Sequence, residues 1–435
     1  MATSSVPATP AAAATGPAAP TPPGARQQPP RGFLFFLGAS AVGANAALLA
    51  AAVLTLSLKA EAIDPAAGTT VLSLAMGVSG VFALVAYPVV GRLSDRTTWA
   101  IGRRRPYLLL GAALIAAGGV LTALAASTAS LAAAQVVTTL GATAATVATM
   151  AAIPDQLPAD ARGPASAVVG LGAPLGAVSG LFLAQLVSGS LTAMILLPAG
   201  AGALGVLSLA LVLRETRLRP QERPPFGARE LVQTFWVNPL HNPAFALAWW
   251  GRLLLFCGVA ALNAYMPFYL MRELHVSGAA VAGSVFVATL VLTALCLVSA
   301  PLAGKASDGL GRRKPFVIAS AVVFAVGLAI VSTVTSFPQL LLAIAVVGIG
   351  QGVYFAVDLA LVTEVLPDAA NPAKDLGIMN LANNLPTILV AAAAPALLAV
   401  GAGAEHPQNF TALFVAGALA SLVGAALIVP IRGVR

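Results

Sequence analysis

Two ionisable side chains stand alone in long apolar stretches, Arg252 nine residues past Pro243 and Asp358 eight residues before Leu366. If both stretches are helices, the offsets correspond to roughly 13 Å and 12 Å of rise, so the two charges reach the same depth. A charge left unpaired in hydrocarbon costs about 2.5–3.5 kcal/mol even on the lenient insertion scale, which predicts an ion pair or a wet cavity. Asp358 could then titrate, or Arg252 engage a solute, as the pair opens and closes. A purely structural pair, holding its part of the chain together, is the alternative. Asp358 is the sole acidic residue at such depth, since Glu61, Asp64 and Glu364 fall near the ends of their stretches.

Neutral polar residues recur around the two charges at helical spacing. Gln351, Tyr354 and Asp358 stand at i, i+3 and i+7, and Arg252 and Asn263 are about three turns apart on one face. Asn380, Asn383, Asn384 and Thr387 follow in a later stretch, with Asn45, Gln135, Thr139, Thr143 and Thr146 as milder counterparts earlier in the chain. Such donors and acceptors suit a hydroxyl-rich solute. Threonines on apolar helices can equally bond their own backbone. Catalytic chemistry has little to build on. The sequence has no phosphate-binding glycine loop, no nucleophile with a base at motif spacing and no His/Cys metal cluster; His241, His275 and His406 fall at loops or helix ends. Cys257 and Cys296 sit inside apolar runs and offer no disulfide framework. The expectation is a protein that is not an enzyme and takes no cofactor or metal.

A second pattern occurs twice. Gly91, Ser94, Asp95 and Arg96 precede Gly102, Arg103, Arg104, Arg105 and Pro106; Gly304, Ser307 and Asp308 precede Gly311, Arg312, Arg313, Lys314 and Pro315. Each set lies between two apolar runs. A lone carboxylate beyond a helix C-terminus is disfavoured by the dipole, so Asp95 should rest against a neighbouring arginine or another helix's N-terminus. Such a contact would act as a latch that is made and broken. The third basic position differs, Arg105 against Lys314, and only arginine holds a carboxylate bidentately, which predicts unequal latches.

The elements that must position these residues follow from composition. The 435-residue chain is 59% hydrophobic and 9% charged, with a mean hydropathy of +0.91. That excludes an ordinary water-soluble globule and predicts an all-α membrane protein. Twelve apolar runs are legible, at about 32–58, 68–91, 106–127, 129–153, 164–187, 190–213, 243–270, 278–303, 315–335, 337–365, 376–400 and 409–431. The net charge of +8 does not signal nucleic acid, because the cations are confined to short connections. With the N-terminus inside, 20 basic residues fall in cytoplasmic segments and only Lys59 and Arg272 face outward, which puts both termini in the cytoplasm. Pro106 and Pro315 are 209 residues apart, as are Leu157 and Leu366, so the second six runs repeat the first. The expected organisation is a disordered tail over 1–31, a six-helix bundle over 32–213, a linker over 214–242 and a second bundle over 243–435. Leu231, Val232, Phe235 and Trp236 would share one side of an interfacial helix in that linker. Abundant alanine and only four lysines suggest a GC-rich bacterial genome, hence the inner membrane.

With the repeat and both turns in view, the chain resembles the major facilitator superfamily over nearly its whole length. More narrowly, Ser94-Asp95-Arg96 with Gly102 to Pro106, and the segment from Gly350 through Asp358 to Lys374-Asp375-Leu376-Gly377 and Asn380, resemble the sucrose-transporter-like and glycoside/pentoside/hexuronide branch. The resemblance implies two pseudo-symmetric bundles rocking about a central site that the seventh and tenth helices line. It also implies turn motifs that stabilise one end state, and a protein working as a monomer in the bilayer. The sugar:cation relatives carry carboxylates in helices 2 and 4; the second and fourth runs here carry none, which argues against sodium coupling of that type. Gly172-Ala173-Pro174-Leu175-Gly176 is imperfectly similar to the signature of drug:proton antiporters, although close packing through small residues also explains it. The function expected is proton-coupled uptake of a sugar or glycoside, with efflux of amphipathic or drug-like compounds as the alternative.

Overall fold

Backbone groups in hydrocarbon must satisfy one another, and runs of some twenty apolar residues do so by closing into helices. The computed structural model describes residues 30–215, 242–365, 372–403 and 408–431. Within them twelve helices are long and apolar enough to cross a membrane. These are α1 (Phe33–Ile63), α2 (Gly68–Arg96), α3 (Arg105–Leu124), α4 (Thr128–Gln156), α5 (Ala159–Leu186) and α6 (Leu191–Val212). The second six are α7 (Pro243–Arg272), α8 (Gly278–Leu310), α9 (Lys314–Val331), α10 (Phe337–Glu364), α11 (Pro372–Ala399) and α12 (Phe410–Ile428). The tail and the proposed interfacial helix with Leu231, Val232, Phe235 and Trp236 lie outside the described residues.

Helix ends differ from the apolar runs where charge is tolerated. α2 continues to Arg96 and α4 to Gln156, so Asp95 and Asp155 belong to helices 2 and 4 after all, at the end of each rather than in its apolar span. Ser127 and Ser130 start α4 with a reciprocal capping box. Pro106 and Pro315 sit in the first turns of α3 and α9, where a missing N–H costs nothing. Gly102 and Gly311 bear φ of 106° and 58°, the left-handed turns that let the chain reverse just before each basic cluster.

The repeat extends to packing. A Cβ at Gly118 would lie 2.8 Å from Thr138 N, and one at Gly327 would lie 2.8 Å from Val347 N, each residue displaced by 209 from its counterpart. Likewise a Cβ at Gly141 would lie 2.7 Å from Ile115 N, and one at Gly350 would lie 2.6 Å from Phe324 N. Small residues thus bring α3 onto α4 and α9 onto α10 at backbone contact, which is how helices gain dispersion energy where lipid removes the hydrophobic drive. The same device places α5 on α1: a Cβ at Gly176 would meet Asn45 Cβ at 2.6 Å and Val42 O at 2.9 Å. Close packing therefore accounts for the Gly172 to Gly176 pattern.

The two halves touch most clearly at the face opposite the α2–α3 and α8–α9 turns. There Gly80 of α2 faces Ile388 of α11, and Phe182 of α5 meets Phe286 of α8 with ring centres 5.6 Å apart. Ser57 Oγ donates to Ala264 O at 3.2 Å, and the Ser73 and Tyr265 hydroxyls share a 2.6 Å hydrogen bond. Gln408 Nε2 donates to Thr69 Oγ1 at 2.8 Å. Arg272 of α7 closes this face onto Glu61 of α1 at 2.8 Å and also donates to Pro65 O.

Candidate functional site

Arg252 lies on the face of α7 that turns toward α10 and α11. Its Nη1 is 2.5 Å from Asp358 Oδ2, and its Nε donates to Asn383 Oδ1 at 2.8 Å. The side chains are 14% and 7% exposed, so the pair is largely dehydrated. One guanidinium thus joins three helices, its planar fork presenting separate, rigidly placed N–H donors to a carboxylate and an amide. The guanidinium carbon stands 5.6 Å from the centre of the Phe256 ring. Phe256 in turn packs edge-on against Tyr354, at 6.3 Å, and tilted against Phe355, at 5.8 Å. Tyr354 is buried with its hydroxyl hydrogen-bonded to the Asp358 carboxylate. Trp249, one turn before Arg252, donates from Nε1 to Ile378 O at 2.9 Å and ties α7 to α11 just beside the pair.

The other polar candidates divide. Gln351, Asn263 and Asn384 are half-buried on α10, α7 and α11, while the side chain of Asn380 lies outside the described residues. The first half contributes less than its sequence suggests. Asn45 donates to Ala41 O of its own helix at 2.8 Å, beneath the close approach of Gly176, and so is absorbed in α1 rather than offered to a solute. Thr143 bonds Tyr87 of α2, and Thr138 bonds Ala134 O. Thr139 is buried, and so is Gln135, whose Oε1 finds no partner among the described residues.

The first turn motif is a network. Arg104 is only 4% exposed; it reaches Asp95 at 2.7 Å, Asp155 through Nε at 2.8 Å and Ser94 Oγ through Nη1 at 2.9 Å. Arg103 pairs with the other oxygen of Asp155. Ser94 Oγ donates to Arg103 O at 3.4 Å, and its repeat counterpart Ser307 donates to Arg312 O at 3.2 Å. Gly91 and Gly304 occupy matching places, beside Val147 and Ala356. Asp155 was invisible as a partner in the sequence, although the same 209-residue displacement carries it to Glu364 and could have marked it.

Glu215, the first acid after α6, accepts from the backbone N of Arg104 at 2.9 Å and of Arg105 at 2.8 Å. It occupies the N-terminus of α3, where the dipole favours an anion. Burial pushes its pKa up, while the two amides and the Arg104 charge oppose that shift. No sequence spacing pointed to this contact.

The second motif is built differently. Asp308 is exposed and has no ion pair among the described residues. Lys314 Nζ donates to Ile431 O at 3.0 Å and to Val429 O, capping the end of α12. The difference between the two motifs does not arise from Arg105 against Lys314, the reason the sequence offered, because neither side chain holds a carboxylate among the described residues. Arg96 closes α2, and Arg313 is half-buried before α9.

The family model of the Major Facilitator Superfamily matches residues 32–300 and 288–434. The chain belongs to that superfamily. Among solved structures, this transporter is similar to a mutant form of the nucleoside transporter NupG, with 12% identity, a TM-score of 0.72 and coverage of 92% of this chain and 100% of that one. It is also similar to a D-xylose-proton symporter, at 15% identity and a TM-score of 0.69, covering 92% and 96%. A bacterial homologue of the human lysosomal transporter Spinster, in an inward-facing and occupied conformation, has 16% identity, a TM-score of 0.70 and coverage of 92% and 97%. At these identities the likeness establishes the fold of two repeated halves and no substrate. No curated protein matches the chain.

Proposed function

We propose that this transporter carries out proton-coupled uptake of a hydroxylated solute such as a sugar or glycoside, by alternating access. The observation that carries the reading is the Arg252–Asp358 pair, made at mid-helix with Asn383 and Tyr354 around it. A proton on Asp358 would weaken its hold on Arg252, whose guanidinium could then donate to solute hydroxyl oxygens beside the face of Phe256. Loss of the proton would re-form the pair and eject the solute, which is how one residue couples two gradients. The asymmetric distribution of arginine supports a cytoplasmic position for the turn face, with both termini there and the membrane being that of the cell. In this orientation the Arg272–Glu61 pair, which joins α7 to α1, is the outer latch, while the Arg104 network and Glu215 lie wholly within the first half and brace its inner turn.

The exposed Phe355 beside Phe256 favours a second reading, efflux of amphipathic compounds, for which an aromatic wall suffices. Proteoliposomes separate the two. An inward pH gradient should accumulate a labelled sugar or glycoside in the wild type, and the doubly neutral Arg252→Ala/Asp358→Asn protein should retain only downhill exchange. Gradient-driven accumulation by that protein would remove Asp358 from the coupling. Failure of every carbohydrate, together with proton-driven movement of an amphipathic cation, would replace uptake by efflux.

The outer latch has its own expected result. The Arg272 and Glu61 side chains are 20% and 30% exposed, so their pair is worth about 1 kcal/mol, or roughly fivefold in the ratio of end states. Arg272→Ala should raise labelling of a cysteine placed at Thr69 by an impermeant thiol reagent by about that factor. Unchanged labelling would show that the hydrogen bonds and apolar contacts of this face hold it without the ion pair.

A further inference from the structure

Where α1, α3 and α6 end at the turn face, the chain leaves a cavity of about 900 Å³. Arg31, just before α1, Arg105, in the first turn of α3, and Arg214, just after α6, all line it. None of the three guanidiniums pairs with a carboxylate among the described residues. Glu215 also lines the cavity, but its carboxylate oxygens accept from the α3 amides, and Asp95 and Asp155 are committed to Arg103 and Arg104, so three guanidiniums face one carboxylate that is already engaged. Gln156 Nε2 donates to Arg214 O at 2.7 Å, which fixes the end of α6 at the cavity rim. The repeat shows that this cluster is not required by the fold, since the counterpart of Arg105 is Lys314, whose ammonium is spent on carbonyls of α12.

The rim has a second character. Ile101 and Leu211 line the same cavity and are 46% and 61% exposed. Leu204 and Leu197, two and four turns back from Leu211, continue an exposed apolar ridge down α6. A cationic socket at the end of the spans that opens onto an apolar ridge matches a molecule with a phosphate at one end and acyl chains at the other. Guanidinium forks hold phosphate oxygens bidentately, and basic pockets at helix ends hold anionic headgroups.

We propose that the Arg31–Arg105–Arg214 cavity is a binding site for the headgroup of an anionic phospholipid, with one acyl chain along Leu211 and Leu204. The proposal does not depend on which solute the transporter carries. The test uses the full chain purified in a neutral detergent, with bound dioleoyl-phosphatidylglycerol counted by native mass spectrometry. Dioleoyl-phosphatidylcholine and inorganic phosphate serve as the other probes. Phosphatidylglycerol should bind at least about tenfold more tightly than phosphatidylcholine. The Arg31→Gln/Arg214→Gln double variant, which alters only side chains at the cavity rim, should lose that preference. Equal binding of the two lipids by the wild type would overturn the site without recourse to any variant. An undiminished preference in the double variant would place lipid selection elsewhere. Inorganic phosphate binding as tightly as the lipid would make it a free-anion site and overturn the lipid assignment.

Discussion

Asp358→Asn should damage folding more than Arg252→Ala, and the doubly neutral Arg252→Ala/Asp358→Asn protein should recover most of what either loses. The pair is largely dehydrated, and removing one partner from such a pair costs about 3–5 kcal/mol because the other charge is left behind. The two losses are unequal by chemistry. A stranded carboxyl can bind a proton, whereas a stranded guanidinium cannot release one. Asn383 and Phe256 soften the fate of Arg252 without neutralising it, since an amide oxygen at 2.8 Å and a ring face supply only partial charge. Thermal unfolding in detergent, with the monodisperse fraction on size exclusion, reads the cycle directly. Wild-type stability in Asp358→Asn, or no recovery in the double variant, would show that the contact contributes little. The double variant also isolates transport from folding, because a folded protein without the pair can be assayed for downhill exchange.

Arg104→Ala should be the most disruptive change at the turn face. Arg104 is buried against Asp95, Asp155 and Ser94, so its removal leaves Asp95 without its ion pair, Asp155 with Arg103 alone and Ser94 without a donor, around a vacated space. The expected loss is about 1.5–3 kcal/mol, since the Asp95 side chain is 47% exposed and Asp155 keeps Arg103, against under about 1 kcal/mol for Arg103→Ala, whose side chain is 29% exposed and holds one acid. Arg104→Lys should fall between them, because one ammonium cannot serve two carboxylates in fork geometry. Asp308→Asn should be close to neutral for stability, since its carboxylate stands exposed without an ion pair among the described residues. The readouts are the unfolding midpoint and thiol labelling of a cysteine at Met150, which is 55% exposed on α4. Equal effects of Arg103→Ala and Arg104→Ala would mean that the network is solvated in the membrane, and a strong Asp308→Asn effect would restore the symmetric latch that the repeated motif suggests.

Much of this was legible in the residues. Apolar length sets the twelve spans, because a bilayer demands some twenty residues of helix regardless of what packs beside it. The 209-residue displacement determines that two halves share one packing scheme, down to Gly118 on Thr138 and Gly327 on Val347. Depth along a helix follows from counting, so Arg252 and Asp358 could be matched without a structure. What counting cannot supply is rotation of a helix about its axis relative to its neighbours, and the tertiary structure alone decided what depended on it. It chose Asn383 as the third member of the buried group and turned Asn45 back onto its own backbone. It drew Asp155 to the side chains of the first basic cluster and Glu215 to its backbone amides, and sent Lys314 to the end of α12 instead of to an acid. A polar side chain takes whichever partner the packing of small residues brings within 3 Å, and that packing is a property of surfaces distant in the chain.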